Sequence, residues 1–543
     1  MTDPLASVST RRTSQSQQAD SRQSLNAAGG YTFTPDDWTR LHRFLTLGTE
    51  GGTYYTSAAD LTRDNADIVI RAATTDSMRL VNEILSISES GRAPKQNPAI
   101  FALAVAASAS TEEGKAFALS VIPRVCRTGT HLFLFAKYIE QFRGHGPALN
   151  KAIARWYTDK PIGDLAYQVL KYRQREGWTH ADLLRLVKTK GVTDHDRRVL
   201  FNWIVGKGYG DIPFRGGEFT PASNIESLAL LEDFLEAQTL RLAPEFVNII
   251  ERGHGMSWEM LPDIALGFPD VWAAMILADR GMPQTALIRQ LPRLTNLGLC
   301  RGEVGQKIAQ QLQDPQRLIR ARVHPINVLV AQKTYTQGHG DKGKMIWQPV
   351  SDISDALDAA FYNAYGAVEP ANKSTLLALD ISGSMGWSRC SGLPLTPREA
   401  TGALSMVTAA VEPEYRILGF SDDLMELDIS PRRRLDDVVR YLEGLSFGST
   451  DCALPMIWAL RNKVKIETFI SYTDSETWFG DIHPHQALRD YRDQMGIDAR
   501  LVVVGMVANN SSIADPTDAG TLDVSGFDSI VPTLISDFSA GRI

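Results

Sequence analysis

The chain reads as two architectures in series, an all-α array of successive helices followed by a doubly wound α/β domain. Three observations predict this. From about Thr34 to Val368, apolar residues recur at helical spacing, separated by short breaks containing Gly, Pro or Asp. After Asn372 the rhythm changes to strand–helix alternation, the pattern of a mostly parallel sheet covered on both faces. Just past that change, Thr375–Ser384 (TLLALDISGS) is an apolar run that carries Asp380, Ser382 and Ser384 onto a loop.

In the first part, helices are expected at Asp36–Leu47, Ser77–Ile87, Asn97–Ala107, Glu112–Val125, His131–Gln141, Ala148–Trp156, Ile162–Arg175, Ala181–Val187 and Asp194–Val205. They continue at Asn224–Ala243, Asp270–Arg280, Pro283–Leu291, Glu303–Leu312, Pro325–Thr336 and Asp352–Tyr365. So many short helices in succession suggest stacked pairs, an α-solenoid, although no clean sequence period is visible. In the second part, strands are expected at Thr375–Asp380, Tyr415–Phe420, Glu467–Asp474, Ala499–Met506 and Ser529–Ile535. Helices are expected between them at Pro397–Val411, Arg434–Leu445, Cys452–Asn462 and Pro484–Met495.

At 543 residues the chain exceeds one ordinary core, and its 43% hydrophobic and 22% charged content is that of a globular protein. The division expected is a disordered tail over 1–30, a helical domain over 31–370 and an α/β domain over 371–543. The tail is rich in Ser, Gln, Thr and Ala and shows no apolar segment of a signal peptide. Apolar runs such as Ile100–Ala107 and Leu501–Ala508 fall short of the ~20 residues of a membrane span. Cys126, Cys300, Cys390 and Cys452 are scattered without a C-x-x-C pair, which fits a reducing cytoplasm better than a disulfide framework.

The net charge of −7 conceals an uneven distribution. From Lys373 onward there are 15 basic and 24 acidic residues, whereas Leu119–Val192 holds 13 basic and 5 acidic ones. A local cationic field of this kind, not the global sum, attracts phosphates.

Asp380, Ser382 and Ser384 form D-x-S-x-S, a set of hard oxygen donors suited to a divalent cation, most simply Mg²⁺. Alone the pattern is no more than what crowds ordinary turns. Two later segments extend it: Gly448-Ser-Thr-Asp451 places Thr450 before an apolar helix, and Phe469–Asp474 ends a buried strand in a second carboxylate. The three segments together resemble the metal-ion-dependent adhesion site of von Willebrand factor A-like domains. That resemblance implies direct ligation by Ser382 and Ser384, direct or water-mediated ligation by Thr450, and negative charge from Asp380 and Asp474. It leaves a coordination position for an acidic group from a partner.

Rival chemistries lack their signatures. There is no G-x-S-x-G elbow, and Ser382 stands where a haloacid-dehalogenase-like phosphatase needs Asp. Gly338–Lys344 mimics a phosphate loop, but Met345 replaces the required Ser/Thr and an apparent helix, not a strand, precedes it. The histidines show no zinc spacing. No catalytic set emerges, and nothing visible would activate a water for a metal-dependent nuclease.

Between Arg124 and Lys190, cations interleave with aromatic and His side chains, among them His131, Tyr138, Trp156, Tyr172 and Trp178. Lys171, Arg173 and Arg175 alternate, and Arg185, Lys188 and Lys190 follow on the next expected helix, so two neighbouring helix ends can share one cationic surface. The bland alternative is a solvated helix face over an aromatic core.

Several longer motifs are familiar. Arg40–Tyr55 (RLHRFLTLGTEGGTYY), Cys126–His131 (CRTGTH), Lys171–Trp178 (KYRQREGW), Ala286–Arg289 and His324–Asn327 resemble the Ro ribonucleoprotein (TROVE-module) family. DISGSMG, STDCALPM and Gly526–Ser529 (GFDS) resemble that family's A-type domain. The resemblance implies a ring of HEAT-like helical repeats closed by the A-type domain. It implies binding of small noncoding Y RNAs on an outer basic surface, and of single-stranded 3′ ends of misfolded or structured RNAs in the central hole. It further implies RNA quality control with a 3′→5′ exoribonuclease, no catalysis by the chain itself, and a monomer in the cytoplasm. Lys171 and Arg175 fall where the family contacts Y RNA, and Lys188 stands where a histidine is usual. Arg127, Thr128, His131, Arg173 and Lys190 complete the expected RNA-contacting set. Ser449 replaces a usual glycine beside Thr450. The competing reading is a metal-dependent protein-interaction scaffold in which the helices only support the A-type domain.

Overall fold

The structure, a computed structural model, describes residues 12–33, 37–47, 58–90, 96–187, 192–207, 226–278, 281–321, 323–340, 344–387, 395–445, 448–475, 477–506, 512–525 and 531–542. Lys188, Lys190, Cys390 and the GFDS motif lie outside them, as do all of Gly48–Tyr55 and residues 341–343 of the loop that mimics a phosphate site.

The strands, in chain order, are β1 (Gln23–Leu25), β2 (Tyr31–Phe33), β3 (Gln174–Arg175), β4 (Trp178–Thr179), β5 (Thr375–Asp380), β6 (Tyr415–Phe420), β7 (Leu424–Glu426), β8 (Thr468–Thr473), β9 (Arg500–Gly505) and β10 (Thr521–Ser525). The last six form one sheet in the order β10-β9-β8-β5-β6-β7, parallel except for the short antiparallel edge strand β7. Alternation along each strand feeds two cores. Leu377 and Leu379 of β5, with Val502 and Val504 of β9, join the core that runs on into the second half of the helical array. Leu376 and Ala378, with Leu501 and Val503, pack on the other face against Met456, Leu488 and Tyr491. Burial on both faces is why these strands read as continuous apolar runs.

The helical array has its own first core, from Leu41 to Met260, built around fully buried Phe133, Phe135, Trp156 and Tyr157. The array leaves the A-type sheet and returns to it. At one end the helix Asp37–Leu47 packs on β10, and Phe33 and Ser512 exchange backbone hydrogen bonds of 2.9 and 3.1 Å. At the other, Glu399 caps the helix Pro397–Val411 by accepting from the Thr396 N–H (2.9 Å) and also pairs with Lys333 (3.0 Å). The Leu435 N–H donates to the Tyr362 hydroxyl at 3.0 Å, and Arg434 lies 3.7 Å from Asp358. The helical array and the A-type domain thus make a closed ring of contacts. No helix among the described residues is long and apolar enough to cross a membrane.

Several expectations need correction. Residues 12–30 are not a disordered tail; they form a hairpin-bearing strap laid on the A-type domain. The strap has little apolar mass, which is why its composition suggests disorder, but Gln15, Gln23 and Asn26 are buried and satisfy polar groups of the sheet domain. Ile162–Arg175 is not one helix: it ends at Lys171, and β3 and β4 form a tight hairpin around Glu176 (φ 54°) and Gly177 (φ 84°). Paired positive φ values suit the turn that joins twisted strands. Ser529–Ile535 is not a strand. Val531–Ser539 is a helix with Pro532 in its first turn, where a missing N–H costs nothing, and the edge strand is Thr521–Ser525. Helices outside the expected set include Ala58–Thr75, Ala243–Glu251, Pro315–Arg320 and the short Trp258–Met260 and Ser384–Trp387.

Candidate functional site

Two places gather the chemistry. The first lies at the carboxyl ends of the parallel strands, where an open α/β sheet forms its crevice. Asp380 ends β5 and is 1% exposed. One carboxylate oxygen accepts from the Ser382 N–H at 2.9 Å and the other from the Thr473 hydroxyl at 2.7 Å. The Ser382 and Ser384 hydroxyl oxygens are 3.1 Å apart. Asp474 follows β8 and is buried, and the chain then turns through Ser475 at φ 59°. Thr450 is also buried, and its carbonyl accepts from the N–H groups of Trp478 (3.3 Å) and Phe479 (3.2 Å). The loop after Asp474 is therefore bound to the Thr450 loop.

Burial, and after it the charge of Asp474, pushes the Asp380 carboxyl up to about 7, against the lowering effect of hydrogen bonds from Ser382 and Thr473. Two buried carboxylates that disfavour each other's charge are what a divalent cation relieves. Among the described residues no three His, Cys, Asp or Glu side chains cluster as a metal site; the oxygen atoms near Asp380 are those of the Ser382, Ser384 and Thr473 hydroxyls. Carboxylate plus hydroxyl oxygens fit Mg²⁺. The structure joins Asp380, Ser382 and Ser384 directly and brings the charge of Asp474 to bear on Asp380. Sequence reasoning missed Thr473, which sits in the strand beside Asp474, and Arg398, whose guanidinium donates to the Ser382 carbonyl at 3.1 Å.

The second place is the meeting of two sequence motifs. Gly129, in CRTGTH, opens the helix Gly129–Glu140 and donates its N–H to Gln168 at 3.2 Å, in the helix that ends at Lys171. A Cβ on Gly129 would lie 2.9 Å from both Tyr172 and His180, so only glycine lets the two segments approach. Thr128 caps the helix by accepting from the His131 N–H. Lys137 of the same helix pairs with Glu176 in the hairpin turn at 2.5 Å.

The cations here are not uniform. Arg175 is 61% exposed and 3.6 Å from Glu176. Arg173 is exposed and lies over the Phe234 ring. Lys171 is half-buried: its ammonium donates to the Tyr167 hydroxyl at 3.0 Å, lies over the Tyr167 and Tyr172 rings, and stands 3.6 Å from Glu259. Arg127 donates to the Ser88 carbonyl at 2.9 Å. Burial first, and Arg127 next, pushes His131 down to about 4, so it is a neutral imidazole at pH 7 and adds no charge to the surface. Of the two helix ends expected to share a cationic face, the first is a helix end plus a hairpin, and the second is the helix His180–Val187 with Arg185 exposed on it; carboxylates are set among the cations.

Comparison with known proteins finds two family domains along the chain. The TROVE domain matches residues 24–334 and the Ro60 vWA domain matches residues 374–539. The chain is 36% identical to the RNA-binding protein RO60 of Caenorhabditis elegans, over 95% of this chain and 90% of that one. It is 35% identical to the RNA-binding protein RO60 of Deinococcus radiodurans, over 97% of each. The crystal structure of the Deinococcus radiodurans RO (RSR) protein superposes with a TM-score of 0.74 at 34% identity, covering 94% of this chain and all of that one. The chain belongs to the family of RNA-binding Ro60 proteins.

Proposed function

We propose that this chain is a noncatalytic RNA-binding ring that holds Y-type noncoding RNA on the surface made by CRTGTH and the Lys171–Trp178 hairpin. The observation that carries the reading is the packing of those two motifs against each other at Gly129, Gln168 and Tyr172, on segments that carry Arg127, Lys171, Arg173 and Arg175. Arg and Lys supply phosphate contacts there, and neutral His131 and Thr128 supply hydrogen-bonding groups. Arg175, exposed at the hairpin tip, makes the first contact, while Lys171, braced by two tyrosines, holds a fixed position. Single-stranded 3′ ends of misfolded or structured RNAs enter the ring, which admits an extended strand and excludes a duplex. The protein works as a cytoplasmic monomer in RNA quality control beside a 3′→5′ exoribonuclease, which supplies the cleavage. In the A-type domain, Asp380, Ser382, Ser384, Thr450 and Asp474 hold Mg²⁺. Bound there, the cation would supply a Lewis-acidic docking point for a partner carboxylate.

Gel shift across a salt series tests the RNA reading, comparing wild type with Lys171→Glu/Arg175→Glu on structured RNAs with and without single-stranded 3′ tails. Binding that is salt-sensitive and lost in the double variant is expected, with a residual preference for tailed RNA marking the ring interior. Wild type that binds structured RNA no better than a nonspecific competitor overturns the reading. The scaffold reading, supported by the paired carboxylates Asp380 and Asp474, would then take its place.

A further inference from the structure

The strap is attached where the two loops of the A-type crevice meet. Gln15 is fully buried. Its side-chain amide donates to Asp451 at 2.6 Å and to the Ile482 carbonyl at 3.0 Å, and its carbonyl oxygen accepts from the Thr477 hydroxyl. Asp451 is the neighbour of Thr450, and Thr477 lies on the loop that follows Asp474. The Thr477 hydroxyl also lies 3.1 Å from the Thr450 carbonyl, and it accepts from the Cys452 N–H at 3.2 Å. One carboxamide, belonging to neither loop, thus bridges the two, alongside the direct bonds from Trp478 and Phe479 to the Thr450 carbonyl.

The rest of the strap holds that carboxamide in place. Gln15 donates its backbone N–H to Gly480 at 3.1 Å and accepts from Tyr31 at 2.9 Å. Asn26 donates to the Thr477 carbonyl at 2.7 Å. A Cβ on Gly480 (φ 115°) would stand 2.5 Å from Asp451, and one on Gly30 would stand 2.0 Å from the Thr477 carbonyl, so both contacts require glycine. His483 bonds the Gln17 carbonyl at 2.8 Å and the Gln23 side chain at 3.2 Å. Arg22 pairs with Asp515 at 2.8 Å, and the strap ends at Phe33, bonded to Ser512 and followed closely by the helix Asp37–Leu47.

We propose that Gln15 is a positioning residue for the metal site and that the strap links occupancy of that site to closure of the ring at its N-terminal end. The inference rests on the metal reading above. A cation that draws Thr450 and Asp474 together fixes the two loops between which Gln15 fits. Conversely, a docked Gln15 preorganises those loops for the cation. Coupling of this kind is reciprocal: whatever factor the strap adds to cation affinity, the cation adds to strap docking.

The test uses the full chain and Mg²⁺ alone. Mg²⁺ affinity is measured by calorimetry, and strap docking by the rate of trypsin cleavage after Arg22, with and without Mg²⁺. Gln15→Ala is expected to weaken Mg²⁺ binding by about tenfold, the scale of one lost buried hydrogen-bonded amide. Mg²⁺ is expected to slow cleavage after Arg22 in wild type, and Ser382→Ala, which removes a ligand but no strap contact, is expected to abolish that protection. A general loss of stability would accelerate cleavage equally with and without the ion, and would not remove the dependence on it. If wild type binds Mg²⁺, Ser382→Ala weakens it, and cleavage after Arg22 ignores the ion, the coupling is wrong while the metal site stands. If Ser382→Ala leaves Mg²⁺ affinity unchanged, the metal reading itself has failed. The wild-type cleavage experiment decides even where Gln15→Ala does not fold.

Discussion

The oxygen-rich crevice of the A-type domain and the cationic seam of the helical array were both read from short motifs, and they behave differently in three dimensions. In the crevice, residues from distant segments converge, because Asp380 and Asp474 sit at the ends of neighbouring buried strands: β5 pairs with β8 in register from Thr375 to Leu379. On the seam, residues close in sequence take different environments, from half-buried Lys171 to exposed Arg175. A polar group at the end of a central strand has few places to go, whereas a surface cation takes whatever carboxylate the fold brings near. Motifs at the ends of buried strands are therefore fixed more tightly by the fold than clustered surface charge.

The largest effect that would sharpen this contrast is on the crevice. Asp380→Asn is expected to abolish Mg²⁺-dependent stabilisation of the chain, read as loss of the rise in Tm that saturating Mg²⁺ gives wild type. An undiminished rise in the variant would place the ion elsewhere and break the comparison at its stronger side.

Next comes a pH dependence with a defined sign. Burial and Asp474 lift Asp380 from its ordinary 3.8 to about 7 in the folded chain. A carboxylate raised on folding binds its proton more tightly in the native state, so its ionisation weakens the fold as pH rises through the folded value. In EDTA, Asp380→Asn is expected to gain Tm over wild type at pH 8 and to lose most of that advantage by pH 5. Comparing the two proteins cancels the opposite trend from buried His324 and His485, whose pKa values burial lowers to about 3 and about 4. An advantage that grows as pH falls would contradict the assignment.

How much of this was legible follows from the same physics. Thr375–Asp380, Tyr415–Phe420, Pro397–Val411 and Pro325–Thr336 match their expected bounds, because buried strands and helices that open on a capping side chain followed by Pro carry their signals locally. The strap was illegible because Gln15, Gln23 and Asn26 act through partners more than 400 positions away. The hairpin was illegible because Lys171-Tyr-Arg-Gln-Arg continues the spacing of its helix, and only Glu176-Gly177 marks the turn. Thr473, which braces Asp380, carried no signal beyond its place before Asp474.

On the seam, the cations should separate by environment. Arg175→Ala removes an exposed charge and is expected to weaken binding of structured RNA moderately while lowering the salt slope by about one unit. Lys171→Ala removes an ammonium that also braces Tyr167 and Tyr172, so its loss should exceed that of Arg175→Ala at every salt concentration. Equal losses would mean that the seam acts as an undifferentiated field.

The smallest effect is the most specific to this chain. Glu259 belongs to the short helix Trp258–Met260, remote in sequence from the hairpin, yet stands 3.6 Å from the Lys171 ammonium. A phosphate that engages Lys171 has to share it with that carboxylate or displace it, so Glu259 is a built-in competitor. Glu259→Gln keeps the shape and removes the charge, and is expected to tighten RNA binding by about two- to fivefold at low salt, the scale of one partly exposed ion pair. The gain should shrink as salt is raised, since screening weakens the competitor in wild type as well. In a Lys171→Ala background the same substitution should gain less, because the cation contested by Glu259 is gone. Tightening of equal size in both backgrounds would mean that Glu259 repels RNA as part of the general field, and that Lys171 has no privileged place on the seam.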